Sequence, residues 1–435
     1  MKKIFILVCF MFLLHETSAQ SLLEIYKKGT VKLVPDAGYA QGNQWDKVFE
    51  TYYDTLYNRP MGNRKSIILM PDGSVVVNHA YHNYYSLFDA NGKFVKEFGI
   101  TGSSGKQLQK VNGIAGIINN NFFTGLDNTG KMICFDFNGK YVKTLTLDYM
   151  TKQMIPLSNN KIAVVGWVIW KDRIRDFVAI VDYQTNAQKV IWEKFTNRSD
   201  FVTIVNAQEV NRDDGAGDSK RQLFSYTYKF DKGYAIQHTM PYENVAGLNA
   251  PPKIAFVNND LIVALPHTGE ILTYDVNGNL KSKNQIEWGR KNLSVEEQKE
   301  IQKKAIEMFS EQKDKLIASG GSQEENERIL AEMKEDLEKI TDPIPIPVFS
   351  NMIKDSDGNL LFFEMPESEG ANRFNVWIYQ DGGKFVCQSS FECDDYNLSI
   401  TPSKMVFHNG YIYALQTLKE SGGNPLRLVR FKVTN

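Results

Sequence analysis

Cysteine is scarce in this chain: 435 residues contain four, at Cys9, Cys134, Cys387 and Cys393. Such a count excludes a disulfide scaffold, so stability has to come from a large apolar core, which a chain of this length can build. One bridge stays open, Cys387–Cys393, in an oxidising compartment. Histidine is also rare, with six in all and one of them in the first 19 residues. Charge of one sign is missing as well: the formal net charge is −1, which gives no electrostatic footprint for nucleic acid or for an anionic membrane surface. Long hydrophobic runs are limited to Ile4–Leu14, too short for a spanning helix of about 20 residues.

That one run has a reading of its own. Lys2-Lys3, the apolar stretch, and Thr17-Ser18-Ala19 before Gln20 follow the charged, apolar, small-residue order of a secretory signal peptide. Cleavage is expected after Ala19. Cys9 lies inside the apolar run with Val8 before it, the wrong place for a lipid-attachment site. Removing residues 1–19 takes away Lys2, Lys3 and Glu16, which moves the net charge from −1 to −2. The expectation is an exported protein, periplasmic or extracellular, with no membrane span and one domain over 20–435.

What the chain does have is a repeated short pattern. From Ser66 to Gly99, four β-branched and aromatic runs are separated by Pro71-Asp72-Gly73 and by Asp89-Ala90-Asn91-Gly92. Gly and Asn tolerate the positive φ of tight hairpin turns, so the stretch reads as a four-stranded meander. Phe88-Asp89-Ala90-Asn91-Gly92 returns as Phe135-Asp136-Phe137-Asn138-Gly139, then as Val181-Asp182, Phe230-Asp231, Tyr274-Asp275-Val276-Asn277-Gly278 and Tyr379-Gln380-Asp381-Gly382. Units of this length read as blades of an all-β β-propeller, each burying the face of its neighbour. The count is seven, with a least regular unit at 201–239; six is the alternative, that unit then being an excursion from the ring. The last unit supplies three strands, and Thr30–Pro35 is expected to pair with it and close the ring.

Phe88–Gly99, followed by Ile100-Thr101-Gly102-Ser103-Ser104-Gly105 and Gly113-Ile114-Ala115, resembles the repeat of NHL-type propellers. The wider chain from 60 to 435 is similar to secreted bacterial propellers grouped as six-bladed or TolB-like. The resemblance implies the fold. Where NHL repeats carry Asp, Asn and Arg ahead of the third strand, this chain has His79, His82 and Tyr84.

Residues 292–342 break the pattern. Ser294 with Glu297, and Ser322 with Glu325, are capping boxes that open two charged helical stretches. Pro343-Ile344-Pro345-Ile346-Pro347 is a stiff return. An α-helical hairpin is therefore inserted between blades, with narrow apolar stripes that let it pack on itself. It is expected to lid the mouth partly, near Trp167 or His267.

In a meander the turn between strands two and three lies at the same end as the link to the next unit. Those segments, at 78–84, 166–175, 211–220, 266–270 and 364–373, are the longer and more aromatic class, so function is expected on that face. Candidate ligand-binding residues there are His79, Tyr81, His82, Trp167, Trp170, His267, Glu364 and Arg373. The three histidines could serve acid–base or metal chemistry in a lyase or hydrolase; the plainer reading is scattered loop histidines. The tryptophans, with Tyr81, Tyr84 and Tyr85, could form a platform for a sugar ring or could pack between blades. Glu364, Glu367 and Glu369 invite a glycosidase pair, but the required separation is not readable from sequence. Gly102-Ser103-Ser104-Gly105-Lys106 has the wrong spacing for a phosphate loop, and Asp355-Ser356-Asp357-Gly358-Asn359 lacks the terminal Glu of a calcium loop. No cofactor or metal is expected. The favoured class is an exported propeller that binds a glycan, peptide or protein, with the enzyme as alternative.

Overall fold

The computed structural model describes residues 21–49, 53–54, 59–60, 66–79, 84–108, 113–126, 130–147, 149–170, 173–197, 201–211, 220–230, 235–237, 250–288, 292–318, 322–345, 347–364, 373–421 and 424–435. Residues 1–20, Tyr81 and His82 lie outside them. The chain opens with a short helix α1 (Leu22–Tyr26), strand β1 (Thr30–Pro35), a turn of helix α2 (Trp45–Val48) and a two-residue ladder, β2 (Tyr53–Asp54) with β3 (Arg59–Pro60).

Antiparallel meanders follow. The first is β4 (Ile67–Leu69), β5 (Val75–His79), β6 (Tyr84–Phe88) and β7 (Phe94–Gly99). The second is β8 (Gly116–Ile118), β9 (Asn121–Leu126), β10 (Lys131–Phe135) and β11 (Tyr141–Thr146). The third is β12 (Met150–Pro156), β13 (Lys161–Trp170), β14 (Arg173–Asp182) and β15 (Gln188–Asn197). A three-stranded ladder of β16 (Phe201–Asn211), β17 (Lys220–Phe230) and β18 (Ala235–Gln237) comes next. The fourth meander is β19 (Lys253–Val257), β20 (Asp260–Ala264), β21 (Glu270–Asp275) and β22 (Leu280–Gln285). Then come β23 (Asn292–Leu293), helices α3 (Val295–Ala318) and α4 (Gln323–Glu338), and β24 (Ile344–Pro345). The fifth meander is β25 (Asn351–Lys354), β26 (Leu360–Phe363), β27 (Arg373–Gln380) and β28 (Lys384–Glu392). Last are β29 (Tyr396–Asn397), β30 (Met405–His408), β31 (Tyr411–Leu418) and β32 (Leu426–Thr434).

The repeated Asp that marks the sequence period has a local cause. Asp89 Oδ1 accepts from the backbone N–H of Asn91 and Lys93, Asp136 Oδ1 from Asn138 and Lys140, and Asp275 Oδ1 from Asn277 and Asn279. In each of these units the register slips by one residue at the end of the third strand, at Leu87/Phe88, Cys134/Phe135 and Thr273/Tyr274. The carboxylate thus satisfies donors that the bulged ladder leaves open. Several turns between first and second strands use paired left-handed residues instead, as at Asn159-Asn160 and Asn258-Asn259, while in the fifth meander Asp355 Oδ1 accepts from the backbone N–H of Asp357 and Asn359.

Each meander shares an apolar core with the next. Met70, Val76 and Tyr85 of the first pack on Phe122, Ile133 and Phe135 of the second. Met132 and Leu145 meet Ile162 and Val164 of the third. Ala163, Val165 and Val178 meet Ile254, Leu261 and Val263 of the fourth. Ile262 and Ile271 meet Met352 and Phe362 of the fifth. Ile353, Leu361 and Val376 meet Ile412, Ala414 and Val429 of the last unit, and Leu415 and Leu428 meet Ile67, Val75 and Phe88 of the first. This cyclic succession of sheets packed face to face is a β-propeller arrangement. Between the third and fourth meanders the chain forms the ladder β16–β18, and among the described residues the third meander packs directly on the fourth.

Strand β1 lies between two units. It runs antiparallel to β32, with Lys32 opposite Thr434 and Pro35 opposite Phe431, and parallel to β28, with Thr30 opposite Ser390. The pairing with the last strand follows the sequence reading; the parallel pairing has no sequence signal. Asp36 secures the strand's end through Arg430, whose Nη2 and Nε donate to Asp36 Oδ2 at 2.7 and 3.0 Å. Cys387 and Cys393 are free thiols. They sit six positions apart along and just past β28, so about 20 Å separates them at strand rise, far beyond disulfide reach.

Helix α1 is capped by a reciprocal Ser21–Glu24 box and buries Leu22, Ile25 and Tyr26. The Tyr26 hydroxyl donates to Asp355 Oδ2 at 3.0 Å, and Asp355 also accepts from Asn359 Nδ2 at 2.7 Å. Desolvation nonetheless raises the Asp355 carboxyl above its ordinary value. A carboxyl whose folded pKa exceeds its unfolded one binds protons preferentially in the native state, so its contribution is favourable at low pH and fades as pH rises through the folded pKa. Urea midpoints of Asp355→Asn and the parent are therefore expected to diverge between pH 4 and pH 7, the parent gaining relative to the variant as pH falls. Parallel curves would show that Asp355 titrates normally.

Candidate functional site

The third meander is the long one: β13, β14 and β15 each have ten residues, where the strands of the first, second and fourth meanders have three to six. Residues 166–175, expected as a loop, are strand up to the tip, with Gly166 opposite Phe177 and Trp170 opposite Arg173. Continuous β-branched and aromatic sequence on both arms, VVGWVIW and RIRDFVAIV, lets the ladder run on.

Cross-strand partners share a face. Trp167 and Asp176 are directly opposed, and they extend the face on which Val165 and Val178 pack against the fourth meander. Lys152 joins them from β12. The β12–β13 register slips between Thr151 and Gln153, so Lys152 is the extra, bulged residue, and a bulge re-aims a side chain. Its Nζ lies 2.8 Å from Asp176 Oδ1 and 5.8 Å from the Trp167 ring centroid. The Asp176 side chain is 10 % exposed and that of Lys152 29 %, while Trp167 is half-buried. Beside them Gln153 clamps the inner strand of the fourth meander: its Nε2 donates to Ile254 O at 3.1 Å and its Oε1 accepts from Ile254 N at 3.2 Å. The opposite face of the extension holds Arg175, paired with Glu193 at 2.6 Å and lying over Phe177 and Phe195.

Two chain excursions open at this end of the sheets. One leaves from Asn197, opposite Arg173 at the tip, and returns at Lys253. The other leaves the fourth meander at Gln285, opposite Glu270, and carries α3 and α4. Its two arms are tied to the turn that bears His267: Ile286 N donates to Gly269 O at 2.8 Å, and Val348 N to Pro266 O at 2.7 Å. Asn292 pairs with Pro345 and Leu293 with Ile344, which zips entry to exit. Ser294 and Glu297 form the expected capping box, at 2.8 and 3.2 Å. The helices meet through Phe309, Ile329 and Met333, which form a small core of their own among the described residues.

The other sequence candidates are dispersed. His79 ends β5 in the first meander and His267 sits in the turn between β20 and β21 of the fourth. The His267 segment is a short turn closed by Leu265 N to Glu270 O and Gly269 N to Leu265 O. In that turn Glu270 is held below its ordinary pKa by hydrogen bonding from Lys283. Glu364 accepts from the Trp377 indole at 2.7 Å and from Asn375 Nδ2 at 3.4 Å, so it orients an aromatic stack in which Trp288 and Trp377 lie 4.5 Å apart. Arg373 is exposed at the start of β27, and Trp170 lies in the strand at the β13 tip. Among the described residues no three His, Cys, Asp or Glu side chains are grouped to hold a metal ion.

Comparison with known proteins places the chain by shape alone. No family model and no curated protein matches it. Among solved structures it is similar to a DUF4221 family member from Bacteroides vulgatus, at 10% identity over 94% of this chain and 100% of that one, TM-score 0.47. A putative exported protein from Bacteroides fragilis shares 9% identity over 96% and 98% of the two chains, TM-score 0.45. A streptogramin B lyase shares 12% over 86% and 94%, TM-score 0.37. Scores this low leave architecture to be read from the chain's own sheets, and no described helix is long and apolar enough to cross a membrane.

Sequence reading missed Lys152 and Asp176. They stand 24 positions apart and meet only through the β12–β14 register, and a bulge at Thr151/Gln153 has no residue signature.

Proposed function

We propose that the protein is an exported binding propeller of six blades, closed by β1, that takes its ligand at the end of the sheets where the two excursions emerge. The observation that carries this reading is the clustering at one end of the extended β13–β14 hairpin, the Lys152–Asp176–Trp167 group and both long insertions. Long elements on a rigid scaffold are where binding concentrates. The ring of six is supported by the direct packing of third meander on fourth, with β16–β18 as the excursion. The signal-peptide pattern at residues 1–19 supports export.

The test is a thermal-shift screen of the chain from Gln20 on against oligosaccharides and peptides, with metal analysis of untagged protein. A saturable shift with one ligand class supports the reading. Stoichiometric zinc would turn it toward catalysis.

The helical hairpin is read as a partial lid that the propeller does not need. Replacing Leu293–Thr341 by a short Gly-Ser bridge is expected to leave the unfolding midpoint within a few degrees, because Ile286 N and Val348 N hold the two arms to the turn at 266–269 and the helices have their own core. Circular dichroism melts check it, and failure to fold would make the hairpin part of the core.

A further inference from the structure

We propose that Lys152, Asp176 and Trp167 form a subsite for a sugar ring of a glycan, which rests on the binding reading above and names its ligand class. A pyranose presents vicinal hydroxyls at its edge and C–H groups on its faces. It therefore asks for donors and acceptors side by side next to an aromatic surface. This wall has that combination: an ammonium with three donors, one engaged by Asp176 at 2.8 Å, a carboxylate with several acceptor positions, and an indole 5.8 Å from the ammonium.

Three observations separate a sugar from other ligands. The ion pair leaves no net charge on the group, which disfavours a simple anion. Trp167 and Asp176 stand on β13 and β14, interior strands of the order β12-β13-β14-β15, so no backbone edge is open there for an extended peptide to add as a strand. The pair is also a poor choice for stability alone: Val165 and Val178 lie directly beneath on the same face, and apolar side chains in place of a desolvated ion pair hold a fold at least as well. A bulge in β12 brings Lys152 there, since the extra residue re-aims its side chain.

The test uses the chain from Gln20 on and soluble hexaoses of glucose, mannose, xylose and galacturonate, read by calorimetry and tryptophan fluorescence, with a tryptic peptide pool as the comparison probe. Binding of at least one hexaose is expected, weakened by roughly 30-fold in Trp167→Ala, as for an aromatic anchor. Trp167→Phe should restore most of it, and Asp176→Asn with Lys152→Met should lose it while the melting curve shows a folded protein. Hexaose binding unchanged in Trp167→Ala would overturn the subsite while leaving a binding propeller intact. Absence of binding to every hexaose, with peptide binding that Trp167→Ala abolishes, would overturn the sugar and keep the mouth. Silence of both probes would overturn this inference and the reading beneath it.

Discussion

Removal of residues 20–36 is expected to prevent recovery of a soluble monomer. The segment buries Leu22, Ile25, Tyr26, Val31 and Leu33 in the core between the fifth meander and the last unit. At about 1.5–3 kcal/mol for each large apolar side chain, their burial is worth on the order of 10 kcal/mol before ordering entropy is deducted. A whole domain is stable by roughly 5–15 kcal/mol. Deletion also uncovers both strands that β1 pairs with, β28 and β32, and two open edges invite association between chains. Size-exclusion chromatography and urea unfolding check it. Adding a synthetic peptide of residues 20–36 should rescue part of the monomer; a deletion variant with a normal midpoint would show that β1 is dispensable.

Gly139→Ala is expected to be among the most damaging single methyl additions the chain can receive. Gly139 has φ +84°, and a Cβ there would overlap the backbone oxygen of Gly99 in the neighbouring meander, with the Phe98 ring close behind. Left-handed backbone alone costs an L-residue roughly 1–2 kcal/mol; a collision with backbone, which cannot rotate away, should bring the total to the 4 kcal/mol range that marks exceptional substitutions. Gly410→Ala is the control. Its φ is +74°, yet nothing lies within 4 Å of an added Cβ, so it should lose only the conformational part. Equal urea midpoints for the two variants would show that the Gly139–Gly99 approach relaxes freely.

Asn138-Gly139 was legible as a turn because turn chemistry is local: Asp136 Oδ1 caps the donors of Asn138 and Lys140 whatever surrounds them. Which neighbour presses on that turn is not local, and the sequence says nothing of Gly99. The same division bears on the unit count: Phe201–Phe230 has the β-branched and aromatic content of a blade, whereas the packing of Val165 and Val178 on Ile254 and Val263 joins segments about 90 residues apart and has no local signature. At the site, Trp167 stood out by its type. Lys152 and Asp176 did not, since a lysine and an aspartate are ordinary surface residues until register and a bulge bring them together.

The pairing of Lys32 with Thr434 joins positions 402 residues apart, and it has a kinetic consequence. A ladder with that sequence separation cannot form until the last strand exists, so the final sheet is completed last in any synthesis or export that proceeds from the N-terminus. Closing so long a loop is entropically slow compared with forming the local hairpins. Between those two moments the chain carries finished meanders and an unfilled slot bordered by β28 and β32, the interval in which a non-native strand could enter. Refolding should therefore show a fast phase that reports the meanders and a slower first-order one that reports insertion of β1, with a yield that falls as protein concentration rises.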